Sequence, residues 1–200
     1  MICIIDYNLG NLRSVLKAFE KINQKAIISK NEKDIKNADK LILPGVGSFK
    51  KGMDNLKNLH LDEILKEELI HKKKPILGIC LGMQLLCKKG YEGGECNGLG
   101  FIDAEVLKFN LKNEKTLHSG WDDIKYTNES KIFKDIKENS DFYFVHSYYV
   151  KCFENVQTSM CDYEISFCAS FEKENIYATQ FHPEKSQNVG LKLLENFANL

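Results

Sequence analysis

The chain has 200 residues, 28 Lys plus Arg against 28 Asp plus Glu, and 43% hydrophobic residues. This is enough apolar content for one domain with a sizeable core. Zero net charge argues against nucleic acid or an anionic membrane as partner, since phosphate binding needs an excess of cations. The elements follow in chain order. Ile2–Ile5 reads as a short buried strand. A helix is predicted over Asn11–Lys21, with Leu12, Val15, Leu16 and Phe19 at helical spacing. Lys25–Ser29 and Lys40–Leu43 read as strands, the second ending at Pro44-Gly45. Helical spacing returns over Met53–His71, and Lys72–Lys74 reads as its solvated end. Pro75–Ile79 is a strand and Leu81–Lys88 a helix.

After Gly90 the pattern changes. A glycine-rich loop, Tyr91–Gly100, precedes segments that read mainly as β: Phe101–Phe109, Trp121–Tyr126, Phe142–Val150, Ile165–Phe171 and Ile176–Phe181. One short helical piece is predicted near Glu129–Lys137, and a last helix over Gln187–Leu200. Repeated strand–helix units imply a mostly parallel α/β sheet with helices on both faces; the later strands suggest antiparallel additions. With no repeat or linker, residues 1–200 read as a single domain.

Seven cysteines, an odd number without a C-x-x-C pair, do not suggest a disulfide framework. No apolar run approaches the roughly 18 residues of a membrane span. The apolar opening Met1–Ile5 stops at Asp6, short of a signal-peptide core. Together these predict a soluble chain in a reducing cytoplasm, where free thiols persist.

The three prolines, Pro44, Pro75 and Pro183, each mark a suggestive segment, L-P-G-V-G, P-I-L-G-I-C and F-H-P-E, and these are expected to share one sheet edge. The second continues into G-I-C-L-G, a thiol version of the nucleophile elbow between strand and helix. Taken alone, Cys80 fits two readings. One is a small buried hydrophobe in a βα turn. The other is a nucleophile lifted beside a helix N-terminus, with the Leu81 N–H as oxyanion donor.

A thiol nucleophile needs a base and the base an orienter. His60 and His71 lie in a polar helical stretch and read as solvated; His182 follows a strand directly, and Glu184 two residues on suits the orienting role. Gly45-Val46-Gly47 supplies flexible backbone N–H groups for the second half of an oxyanion hole and is no Walker loop. No metal is expected, because Cys80 and the histidines lack ligand spacing.

G-I-C-L-G-M-Q-L-L with F-H-P-E a hundred residues later resembles the class I (triad) glutamine amidotransferases. More narrowly, D-Y-N-L-G-N-L-R-S-V, L-P-G-V-G-S-F, F-V-H-S-Y and F-H-P-E-K-S resemble the HisH family of glutaminase subunits, and the match runs over nearly the whole chain. The resemblance implies a flavodoxin-like fold, no cofactor, and hydrolysis of L-glutamine through a cysteinyl thioester. It implies that Cys80 attacks, His182 shuttles protons and Glu184 orients it. The oxyanion would rest on Leu81 and on Val46 or Gly47. Gln84 and Glu92, with Glu95 as the alternative, would grip the glutamine head group, and His146, Ser147 and Tyr148 its backbone.

The ammonia would pass to a (βα)8 cyclase subunit, HisF, in a heterodimer, with Trp121, Tyr143 and Lys185 near the interface. The resemblance is loosest at Leu117-His118-Ser119-Gly120-Trp121-Asp122, where the family usually carries P-H-M/I-G-W-N, and at Asn8, where glycine is common. Two alternatives follow: a paralogue feeding another synthase such as a sugar amidotransferase, and a stand-alone cysteine hydrolase.

Overall fold

The computed structural model describes residues 1–126 and 130–200. Strands and helices alternate first: β1 (Ile2–Ile5), α1 (Leu12–Lys21), β2 (Ala26–Ser29), α2 (Glu32–Asn37), β3 (Lys40–Gly45), α3 (Phe49–Asn58), α4 (Leu61–Lys66), β4 (Ile76–Cys80) and α5 (Leu81–Leu85). Strands then dominate: β5 (Cys87–Gly90), β6 (Cys96–Asn97), β7 (Ile102–Lys108), β8 (His118–Asp123), β9 (Lys125–Tyr126), β10 (Asp141–His146), β11 (Tyr148–Cys152), β12 (Gln157–Tyr163), β13 (Ile165–Lys173) and β14 (Ile176–Thr179). A single 3-10 turn, Pro183–Lys185, leads into α6 (Gln187–Ala198).

The main sheet has the order β2-β1-β3-β4-β14-β13-β11-β7-β5-β6, with β12 and β9 branching from β13. From β2 to β14 every pairing is parallel. Beyond β14 the pairings with β13, β11 and β7 are antiparallel. The central strands carry continuous apolar runs because both faces are covered. In β3, Leu41 and Leu43 join the core under α3, α4 and α5, while Ile42 joins the opposite core with Phe19 of α1 and Leu193, Leu194 and Phe197 of α6. Each such fully buried side chain contributes about 1.5–3 kcal/mol. A separate ribbon, β8 with β10, pairs antiparallel in the register His118↔His146 and Trp121↔Tyr143.

Several elements depart from the sequence reading. The predicted helix over Met53–His71 starts earlier and is broken: α3 ends at Asn58, His60 takes a left-handed φ of 54°, and α4 is followed by a π-helical turn, Glu67–His71. The apolar spacing continues through this break, so periodicity does not register it. The helix predicted to Lys88 stops at Leu85, and Cys87–Gly90 turns into β5 beside β7. Residues 131–135 form turns instead of a helix, and Glu129 lies outside the described residues. Phe142–Val150 is two strands in different sheets, broken at Ser147.

Three elements were not anticipated, among them the two-residue β6, which lies in the predicted loop Tyr91–Gly100 and pairs with β5. In α2 only Ile35 is buried; the helix is started by Asn31, whose side chain accepts from the Lys33 N–H. In β12 the inward positions include Ser159, bonded to Ser170 Oγ at 2.6 Å. Lys74 is also not solvated: it is mostly buried and pairs with the fully buried Glu68 at 2.6 Å.

Candidate active site

β3, β4 and β14 are neighbours, and their carboxyl ends bring the suggestive segments together. Gly45 pairs with Cys80 in the β3–β4 register, and β14 delivers Gln180, Phe181 and His182 beside them. Pro75 does not share this edge, because it precedes β4; its segment reaches the site through Cys80, five residues on.

Cys80 is the last residue of β4 and caps α5 with φ 54° and ψ −108°. A non-glycine residue in this region costs on the order of 1–3 kcal/mol and persists only where its surroundings hold it. The two flanking glycines explain how. A Cβ on Gly82 would collide with the Leu43 carbonyl oxygen, and one on Gly78 would come within 2.7 Å of the Leu86 side chain and 2.9 Å of the Gly82 backbone. Strand and helix therefore approach closer than any side chain allows, and the turn between them lifts the Cys80 thiol to the pocket. The next residue, Leu81, opens α5, so its N–H is among the helix-start amides without an intrahelical partner.

His182 Nδ1 lies 2.8 Å from Glu184 Oε1, and both side chains are 2% exposed. The loop is pinned to β10: the His182 N–H donates to the Tyr143 carbonyl at 2.9 Å. Ser186 Oγ accepts from the Tyr143 N–H at 3.0 Å and donates to the His182 carbonyl at 2.6 Å. Burial disfavours the His182 imidazolium, but negative charge at Cys80 and the Glu184 carboxylate outweigh it and raise the ring to about 10. His182 Nε2 is buried and has no hydrogen-bond partner among the described residues.

The elbow opens on a cavity of about 390 Å³. Its walls include Val46 and Gly47 on one side, Cys80, Leu81 and Gln84 at the base, and Glu92, His146, Ser147, Tyr148 and Lys185 opposite. Gly47 has φ 114°, the backbone freedom the turn requires. Gln84 is buried, and its amide N–H groups are committed to the Tyr148 carbonyl and to Gln180 Oε1, both at 3.0 Å, leaving its carbonyl oxygen to accept. Glu92 lines the cavity and accepts from the Phe49 N–H at 2.8 Å. Glu95 instead pairs with Lys89 at 2.8 Å, is exposed, and is not part of the cavity wall.

His182 and Glu184 lie behind the Cys80 side of the cavity and do not line it. Trp121 and Tyr143 are also outside it: they meet edge-to-face at 6.0 Å, and Lys185 Nζ sits 5.5 Å over the Tyr143 ring. Trp121 is exposed.

Gln180 was missed by the sequence reading. It is fully buried, its Nε2 lies 3.6 Å from Cys80 Sγ, and its Oε1 accepts from Gln84. The available signal was an amide side chain directly after a buried strand and just before F-H-P-E. Tyr7 was also missed; it is fully buried with its hydroxyl unpartnered, and burial, followed by charge at Cys80, raises it above the usual tyrosine range. All seven cysteines are free.

Residues 3–199 match the family model described as glutamine amidotransferase class-I. The chain is 57% identical to imidazole glycerol phosphate synthase subunit HisH 1 of Campylobacter jejuni (strain 81-176), covering 100% of each. It is 49% identical to subunit HisH 2 of Methanococcus maripaludis, covering 98% of each. Among solved structures, PurLQS from Thermotoga maritima shares the fold with a TM-score of 0.74 at 19% identity, over 99% of this chain and 97% of that one. A structure titled glutamine amidotransferase aligns over all of both chains with a TM-score of 0.77 at 17% identity. The chain belongs to the class-I glutamine amidotransferase family, and within it to the HisH subunits of imidazole glycerol phosphate synthase.

Proposed function

We propose that this chain is the glutaminase subunit of imidazole glycerol phosphate synthase in histidine biosynthesis, acting in the cytoplasm as one domain. The observation that carries this reading is a strained thiol elbow at the base of a pocket, backed by a buried His182–Glu184 pair. In this reading Cys80 Sγ attacks the side-chain carboxamide carbon of L-glutamine. The developing oxyanion is held by backbone N–H groups of Leu81 and of Val46 or Gly47. His182 gives a proton to the leaving nitrogen, so ammonia departs and a γ-glutamyl thioester remains. Water then attacks the thioester, His182 takes its proton, and glutamate leaves with the thiol restored. Glu184 keeps Nδ1 protonated and aims Nε2 at the sulfur. Gln84 and Glu92 suit the substrate head group, and His146, Ser147 and Tyr148 its backbone.

Ammonia freed into water becomes ammonium and loses its nucleophilicity. A cyclase subunit, HisF, is therefore the expected partner, docked over Trp121, Tyr143 and Lys185. The similarity to HisH subunits of imidazole glycerol phosphate synthase supports this assignment. Mixed with that cyclase and its ribulosyl substrate, the chain should release glutamate from glutamine. Cys80→Ala should abolish release while still binding the cyclase. Full hydrolysis by Cys80→Ala would end the nucleophile assignment.

A second reading, a paralogue feeding ammonia to another synthase, rests on Ser119 and Asp122 on the ribbon. Stimulation by a sugar-modifying synthase and not by the histidine cyclase would select it.

A further inference from the structure

Away from the triad, three polar side chains form one continuous run from the surface to the pocket wall. Asp122 Oδ2 lies 2.8 Å from His118 Nε2. His118 Nδ1 lies 3.0 Å from His146 Nε2, and His146 Nδ1 lies 2.8 Å from the Tyr148 carbonyl oxygen. Asp122 is partly exposed, His118 and His146 are buried, and only His146 of the three lines the cavity.

The hydrogens in this run can be counted from the inner end. A carbonyl only accepts, so His146 Nδ1 must carry a hydrogen. Burial holds His146 far below the ordinary histidine range, at about 3, so the ring is neutral and its Nε2 is bare. A bare Nε2 accepts, so His118 must donate from Nδ1. In a neutral His118 the other nitrogen would then be bare as well. It would face a carboxylate oxygen at 2.8 Å, acceptor against acceptor. The contact is a hydrogen bond only when one more proton lies in it.

We infer that His118 and Asp122 together hold one extra proton, and that this proton fixes the tautomer of His146 and so the pocket wall at His146–Tyr148. The pair is the same unit whether written as imidazolium with carboxylate or imidazole with carboxylic acid. His118 and Asp122 are positioning residues, since they act through His146 and the Tyr148 carbonyl, which also anchors Gln84. The consequence for glutamine rests on the proposed glutaminase reading; the proton count does not.

The surroundings suit a retained proton. The His118 ring is stacked between Phe144 at 4.7 Å and Tyr163 at 4.2 Å, faces that favour a cation. The ionisable groups that face the pair are Cys161 and Tyr163 of β12 and His146 of β10, and the carboxylates of Asp123, Asp162 and Glu114 lie in turn around Cys161 and Tyr163. The nearby cation, Lys125, is already paired with Asp162 at 2.8 Å. Losing the proton would leave an uncompensated negative charge among acidic neighbours. Burial draws the His118 ring below its usual range while Asp122 opposes that pull, so raising the pH can remove the proton.

Asp122→Asn separates this proton from simple packing. Its amide N–H donates to a neutral His118, so the run survives with no extra proton. The measurements are [15N]histidine NMR of the whole chain, and kcat and KM for glutamine in complex with the cyclase. Both run from about pH 5 to pH 9, the range in which histidine titrates. In the parent chain His118 should show a step that depends on Asp122, and KM should rise about tenfold across it with kcat little changed. In Asp122→Asn the step should vanish and KM should stay at the low-pH parent value. Asp122→Leu, which cannot donate, should raise KM at every pH.

Identical His118 titrations in the parent and Asp122→Asn, or superimposable KM profiles, would overturn the inference. If no partner elicits glutamine turnover, the glutaminase reading fails, while the NMR comparison still decides the proton.

Discussion

His182 and His146 are both buried, 2% and 6% exposed, one beside the Cys80 thiol and the other in the wall of its pocket, yet their charge states are driven in opposite directions. His182, at the end of the parallel half, has Cys80 on one side and Glu184 on the other, and is raised to about 10. His146, on the β8–β10 ribbon, faces a carbonyl and another imidazole, and burial leaves it at about 3. Burial alone pushes both rings toward neutrality; the Cys80 sulfur and, after it, the carboxylate 2.8 Å from Nδ1 distinguish His182. The parallel half therefore builds a charged, reactive arrangement on strained backbone, and the ribbon builds a neutral, hydrogen-bonded wall.

The largest test of that contrast is Glu184→Gln. It preserves shape and removes one of the two charges that hold the His182 imidazolium, the one at Nδ1. The expected loss is about a thousandfold in kcat with KM little changed, read from steady-state glutamate release. A rate within a few-fold of the parent would place the orienting role elsewhere. The next effect is structural. Gly82→Ala drives a methyl into the Leu43 carbonyl oxygen, and overpacking of this kind costs about 3 kcal/mol, measurable as a lower urea midpoint. On the ribbon, Ser119→Ala at an exposed position should stay within about 0.5 kcal/mol. Equal losses at the two sites would erase the difference between the halves.

This contrast was partly visible before any coordinates. The elbow was legible because its parts are local: Gly78, Cys80 and Gly82 are two residues apart, and so are His182 and Glu184. The central strands were legible because complete burial writes an uninterrupted apolar run. What failed has physical reasons. The break at His60 depends on one left-handed residue inside an unbroken apolar period. α2 buries a single side chain, too few for a period. β12 faces the core partly with serine, so apolar alternation cannot reveal it, and its support comes from hydroxyl pairs with Ser170. The His118–His146 contact spans 28 residues and exists only through the β8–β10 register, which no local spacing encodes.

A further effect is carried by pH, with opposite signs for the two histidines. Unfolded His146 takes a proton below about 6.5, but folded His146 only near 3. Between these values the unfolded chain binds more protons, so stability falls as pH falls, by about 1.4 kcal/mol per unit. Folded His182 keeps its proton up to about 10, so its contribution is complete below about 6.5 and is lost as pH rises toward 10. Urea denaturation across pH should show both limbs. His146→Gln should flatten the acid limb and leave the alkaline one; His182→Gln should do the reverse. Loss of the same limb in both variants would mean that the rings share one environment.

Trp121 also has a small stability effect. Its ring is 45% exposed and meets Tyr143 only edge-to-face at 6.0 Å, so truncation removes part of one aromatic contact and little buried area. Trp121→Ala should therefore cost the isolated chain about 1 kcal/mol or less, seen as a small shift in urea midpoint. A large aromatic held half in water by its own fold has area left over for a partner, and interface energy concentrates in such anchors. The same variant should weaken cyclase binding far more than it weakens folding. A destabilisation as large as that of Gly82→Ala would instead make Trp121 a core residue. The outer face of the ribbon would then be part of the folded interior, and the partner would have to dock elsewhere.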